Sequence, residues 1–329
     1  MPAAVLPLAL CSLFAALHAL GERRATRLLR RPRSTQDHWR AASYYAGLIV
    51  IAIALVGPID TLALKLFWVH MVQHVLLLGV AAPLIVLGAP WMSVWRPLPL
   101  GIRRATAGTI ARSPGWAPLR ALGRLLSRPI PVWIAFTVNL VAWHIPVVYD
   151  LALSHQGIHD LEHLLYLLFA ILLWTQVLDS PPLRVRLSQI NRVYYIAAAA
   201  VPGWIISLVL VFSSSPLYPF YAHLNHRPGG ISALADQQIA GGMMLLPGSL
   251  AFTIYVFFQI YVWMGSDQQQ RPPGGGGGRL PPPPAPPTHG GPPADVDDAS
   301  TERDRELVGA GARGVEPRAG ARVSTAHRD

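Results

Sequence analysis

Apolar residues in this chain gather into seven long runs, at 2–20, 41–57, 62–87, 129–145, 158–178, 193–212 and 237–264. A helix needs roughly 20 mostly apolar residues, at about 1.5 Å of rise each, to cross a hydrocarbon core. The pattern therefore predicts an all-α fold, a polytopic membrane bundle of seven transmembrane helices. Seven arginines follow the first run, no basic region precedes it and no small-residue cleavage site ends it, so it reads as a retained span and not as a signal peptide.

Polar positions sort the loops into two sets. Seven arginines lie in 21–40, seven in 88–128, three in 179–192 and eight in the tail, whereas the alternate loops carry Lys65 and Arg227. Basic residues near span ends are retained in the cytoplasm, which places the N-terminus outside and the C-terminus in the cytoplasm, as an odd number of spans requires. The expected organisation is a membrane domain over 1–264, with basic cytoplasmic loops at 21–40, 88–128 and 179–192. A Pro/Gly-rich cytoplasmic tail over 265–329 holds too few apolar residues to fold and is expected to be disordered. In the second basic loop, Trp116, Leu119, Leu122, Leu125 and Leu126 alternate with Arg120, Arg124 and Arg128, which suits a short helix lying on the anionic inner leaflet.

Composition agrees: 52% of residues are hydrophobic and 13% charged, far from a soluble domain. The formal charge of +10 resides in the loops and the tail, so it reports topology and membrane lipid contact, not nucleic acid. Cys11 is the single cysteine, which rules out an intrachain disulfide and suits a small packing residue.

Six of the twelve histidines fall in three short motifs: His70 with His74, His144 in Trp143-His144-Ile145-Pro146, and His155, His159 and His163. Spacing of i,i+4 puts His70 and His74 on one helix face, and His155 extends that pattern in the third motif if its helix starts early enough. With the third run entering at Leu62, His70 lies about 12 Å along it, and Met243 and Met244 lie about 10 to 12 Å beyond Asp236. These groups are expected to share a layer in the outer third of the bilayer, opposed on the inner side by His18 alone. Ionisable side chains within spans are costly and mark sites or pathways. Imidazole with thioether favours copper, particularly Cu(I), so His70, His74, His144, His159, His163 and Met244 form the expected metal set. Glu162 and Asp160 are candidate acceptors fixing ring tautomers, each acting on a neighbouring span because adjacent helix positions face different ways.

These motifs resemble the CtaG family of cytochrome c oxidase assembly proteins associated with caa-type oxidases. The resemblance rests on Phe67 to His74 closing in Pro83 to Pro90, on Trp143 to Pro146 with Tyr149 and Asp150, on Glu162-His163 with Trp174, and on Asp236 to Gly242 running to Pro247-Gly248. It spans nearly the whole chain up to Met264 and implies a bacterial plasma-membrane protein that matures a haem-copper oxidase by delivering copper, with oxidase subunits as partners. By motif it carries His70, His74, His144, Glu162, His163 and Asp236, with Glu162 and Asp236 as supporting polar groups. His155, His159 and the methionines rest on geometry alone.

Three other readings compete. A haem-binding membrane electron carrier would use His70 or His74 with His163 as axial ligands. A metal-free scaffold would use the histidines only to cross-link helices. A transporter would need polar groups continuing inward, where the sequence offers only Asn139 and His18. No phosphate-binding loop, nucleophile elbow or metalloprotease motif is present, so neither enzymatic activity nor a small-molecule substrate is expected.

Overall fold

The computed structural model describes residues 2–29 and 32–270. In chain order its helices are α1 (Pro2–Leu29), α2 (Thr35–Leu55), α3 (Pro58–Ala63), α4 (Phe67–Val75), α5 (Ala82–Gly88), α6 (Trp91–Trp95), α7 (Leu100–Arg112) and α8 (Ala117–Leu125). The second half holds α9 (Pro129–Trp143), α10 (Pro146–Ser154), α11 (Gln156–Thr175), α12 (Gln189–Phe212), α13 (Pro219–Ala222), α14 (Ala233–Leu245) and α15 (Pro247–Gln270). No strand occurs among the described residues. Six helical segments are long and apolar enough to cross a membrane, and a seventh is counted when α8 and α9, bent by 90° at their junction, are taken together. Ile53, Ile134, Val138, Leu164, Ile205, Val209 and Ile254 stay exposed around the bundle, an apolar surface that lipid rather than water satisfies.

Local chemistry sets the ends. Ser34 and Asp37 form a reciprocal capping box that starts α2. Ser232 caps α14 by accepting from the Ala235 amide. Prolines at Pro58, Pro129, Pro146 and Pro247 open their helices, where a missing N–H costs nothing. The run expected from Leu62 is in fact divided: α3 ends at Ala63, Leu66 is extended, and a new helix starts at Phe67. Its first amides find their acceptor across the bundle, where the Asp236 carboxylate of α14 receives Phe67 N–H at 2.9 Å and Trp68 N–H at 3.0 Å. Between α4 and α5 lies a π-helical turn, Leu76–Ala81. Pro83 lacks an N–H for the regular ladder and crowds the preceding turn, which the wider turn relieves.

Other boundaries shift for similar reasons. The first helix continues beyond the expected Leu20 to Leu29, carrying Arg23, Arg24 and Arg27 on an extra helical stretch, and Arg24 donates to the Pro97 carbonyl at 2.8 Å. The last run is two helices divided at Leu246, before Pro247, and α15 reaches Gln270. The tail proposed from composition lies otherwise outside the described residues. Helix α8 leaves Leu119, Leu122 and Leu125 exposed, and the turn before it Trp116, as a segment on a lipid surface requires.

The core joins α5, α9, α11, α12 and α15 through Val86, Phe136, Leu140, Tyr166, Leu173, Trp174, Ile196 and Phe252. Trp174 donates its indole N–H to the Leu78 carbonyl at 2.9 Å, tying α11 to the π turn. At one end of the bundle α3, α10 and α13 meet: Tyr221 donates to the Ala63 carbonyl at 2.6 Å, and Asp150 accepts from the Phe220 amide at 3.3 Å. The arginine-bearing segments 21–40, 88–128 and 179–192 connect the helices at the other end.

Close helix approach yields a stability prediction. A Cβ at Gly88 would stand 2.6 Å from Tyr44 Cβ and 2.9 Å from Tyr44 Cα, so Gly88→Ala must push α5 from α2, at about 1–3 kcal/mol. Thermal unfolding in detergent should show that loss, whereas Gly101→Ala, with open space around it, should leave the midpoint unchanged or slightly raised. Asp236→Ala strands two amide donors and should cost about 1–3 kcal/mol for each left buried and unpaired, with Asp236→Asn milder because one acceptor oxygen remains. Wild-type melting in Asp236→Ala would show that the contact does not hold the two helices.

Candidate metal centre

Helices α4 and α11 each present a histidine pair at i,i+4 spacing, His70 with His74 and His159 with His163. Because α4 begins at Phe67, His70 lies only about 4.5 Å along it, not 12 Å, and His74 about 10 Å. His159 and His163 lie at matching distances along α11, which begins at Gln156. Two levels of facing rings result. Ring centroids are 5.1 Å apart for His70 and His159, 5.3 Å for His74 and His163, and 5.4 Å for His70 and His163.

Glu162 enters the same space. Its Oε1 is 3.4 Å from His74 Nε2 and 3.9 Å from His70 Nε2, so it acts across helices as its position beside His163 suggested. It stands among the imidazoles, not behind them. The ligand atoms of His70, His159 and His163 lie within 4.8 Å of one another, as do those of His70, His74 and Glu162. All five side chains are buried.

Hydrogen bonding fixes part of the proton arrangement. Tyr221 gives its proton to the Ala63 carbonyl, so it can only accept from His70 Nδ1, 3.4 Å away. His70 Nε2 then carries a lone pair and receives His74 Nε2–H at 3.0 Å. After that the partners run out. Both Glu162 oxygens, His159 Nε2, His163 Nε2 and His74 Nδ1 are buried without a hydrogen bond. Each orphan costs about 1–3 kcal/mol, and a cation bound among them would offset several at once. The donor set therefore fits a metal ion, with the carboxylate compensating its charge.

The other expected residues fall elsewhere. His144, the C-cap of α9, has its ring centroid 6.5 Å from that of His74 and stands outside both three-residue groups. Met244 lies about 16 Å along α14, deeper than the shared layer expected from Asp236, since the helix starts at Ala233. His155 precedes α11 instead of extending its face; it is exposed and its Nδ1 lies near the Leu151 carbonyl. Asp160 is half-buried and pairs with Gln156 at 2.8 Å. Asp236 holds the start of α4, one turn before His70. His18 stacks on Tyr44 with centroids 4.5 Å apart, away from the cluster.

Residues not singled out from sequence complete the surroundings. Tyr166 stacks on His74 at 4.1 Å, and Gln73 donates to the Ala54 carbonyl at 2.8 Å. Tyr166 continues the 159, 162, 163 helix face at i+7, a spacing that signals it. Asp60, whose carboxyl burial pushes above the usual range, lines a pocket of about 490 Å³ beside α1 together with His159, His163 and Asp160. That pocket reaches the cluster from the end where α3 lies.

Comparison with known proteins gives the frame for this centre. An uncharacterized protein of Mycobacterium leprae (strain TN) is 22% identical over 246 residues, covering 73% of this chain. The aligned part is 36% of that protein, so the chain spans about a third of its relative's length. No solved structure matches. Residues 23–266 match the family described as cytochrome c oxidase caa3 assembly factor (Caa3_CtaG), a stretch that takes in α4 and α11 with their facing histidine pairs, and the chain belongs to that family.

Proposed function

We propose that the chain binds a copper ion at His70, His74, His159, His163 and Glu162 and passes it to a haem-copper cytochrome c oxidase during assembly. The observation that carries this reading is the set of unpartnered nitrogen and oxygen atoms converging between α4 and α11. Nitrogen and oxygen donors bind copper more tightly than the other divalent first-row metals. One carboxylate also makes a Cu(I) complex formally neutral, which lowers the cost of holding the ion beneath a lipid surface. With the arginine-bearing end in the cytoplasm, the centre lies toward the outer side of a bacterial plasma membrane, the N-terminus outside and the tail inside. Copper in the oxidase lies toward the same side, so lateral transfer avoids carrying a bare charge through hydrocarbon. The pocket beside α1 supplies a path to His159 and His163.

Geometry favours an ion over the alternatives. Axial haem ligands must stand apart on opposite faces of a macrocycle, whereas the His163 ring centroid is only 5.4 Å from that of His70 and 5.3 Å from that of His74. A scaffold cross-linked by hydrogen bonds would pair its polar atoms, and here both Glu162 oxygens, His159 Nε2 and His163 Nε2 stay without a hydrogen bond.

Metal analysis of the purified full-length protein tests the proposal. Wild type should retain about one copper per chain or more after dialysis, His163→Ala and His70→Ala should lose at least ten-fold in affinity, and His155→Ala should match wild type. Equal copper in wild type and His163→Ala would remove the proposed role. Oxidase copper content in cells carrying His163→Ala should fall in parallel.

A further inference from the structure

A second pair of lone pairs lies on the far side of His74. His144 Nδ1 is 2.8 Å from the Leu140 carbonyl, which can only accept, so Nδ1 holds the ring proton and Nε2 carries the lone pair. That Nε2 is buried and has no partner. The proton chain from Tyr221 through His70 to His74 Nε2 leaves His74 Nδ1 in the same condition, a buried lone pair without a donor. Both rings line one small cavity, of about 60 Å³, with Tyr166, Trp204, Ser249 and Met244. The Tyr166 hydroxyl lies 3.1 Å from His144 Nδ1, Trp204 donates to Ser249 and Ser249 to the Leu245 carbonyl, so the Met244 thioether is the soft donor left facing the two rings. Its remaining wall is largely apolar, including Phe136, Leu140 and Phe252.

We propose that this cavity is a second metal station, in which His144 Nε2, His74 Nδ1 and the Met244 sulfur bind Cu(I). Two neutral imidazoles and a thioether, with no carboxylate, select a soft monovalent ion over divalent ones. The Leu140 carbonyl fixes the His144 ring as a metal-bound histidine requires. His74 belongs to both places through different nitrogens and serves one ion at a time, because the nitrogen facing away from the ion keeps the ring proton. Turning that single tautomer moves His74 from the five-group centre to the deeper station. An ion therefore has a path one turn further along α4 toward α9 and α14 without leaving imidazole coordination. This inference rests on reading the five-group centre as a copper site, and it adds a separate destination for the ion.

Anaerobic titration of the purified full-length protein with Cu(I) against a chromogenic chelator, followed by copper K-edge absorption, tests it. Wild type should retain two equivalents, the first then held by His70, His159, His163 and Glu162 as His74 turns to the second, with sulfur scattering appearing on addition of the second. Met244→Leu, nearly isosteric, should lose the sulfur signal and weaken the second equivalent at least ten-fold while keeping the first. His144→Asn should do the same, and melting curves of both variants should stay near wild type. Two equivalents without sulfur scattering, unchanged in Met244→Leu, would overturn the station, as would retention of a single sulfur-free equivalent; both results leave the five-group centre standing. No bound Cu(I) in wild type would remove both sites together.

Discussion

Ionisable groups placed beneath a lipid surface are stable only when each finds a partner, and between α4 and α11 four imidazoles and a carboxylate face one another with too few partners to go round. Much of the surrounding fold keeps those two helices in register. Asp236 anchors the start of α4, Tyr221 holds the loop before it, and Trp174 ties α11 to the π turn that follows. Since Asp236 and Tyr221 come from segments distant in sequence, the centre is a property of the whole bundle. Neither helix pair alone would bring His70 within reach of Glu162.

Rigidity and reactivity divide along the same lines. Close contacts such as Gly88 against Tyr44 fix the helices at their arginine-bearing end, where the chain needs no chemistry. At the other end the short helices α3, α10 and α13 cover the histidines, and a pocket beside α1 leaves one side of the cluster approachable. A transfer protein, as we propose this chain to be, needs that combination. Its ligands must be held well enough to select an ion, yet remain neutral and numerous enough for one donor to be exchanged for another. His74, stacked on Tyr166 and flanked by Glu162 and His144, is where the proposed exchange would take place.

Most of the helical architecture was legible in the sequence because uninterrupted apolar runs and arginine-rich loops are strong signals. The histidine faces were legible for the same reason, i,i+4 spacing being a local property. Breaks were not. The end of α3 before Lys65 depends on Asp236 waiting 169 residues away to receive the Phe67 amide, and no local pattern announces that. It moved His70 nearer the helix start than the run from Leu62 implied. Likewise Ala233, capped by Ser232, started α14 earlier than the apolar run suggested and put Met244 deeper than the main cluster. Glu162 was visible as a carboxylate acting on another helix, but its place among the rings follows from the facing of α4 and α11. That is tertiary information.

In the function we propose, one copper ion sits where these five side chains meet. Anomalous diffraction at the copper edge from crystals of the copper-loaded, full-length protein measures this directly. A single strong peak within bonding distance of His70, His163 and Glu162 is the expected result. A peak elsewhere, such as at His223 and His226 between α12 and α14, with none between α4 and α11, would contradict this proposal.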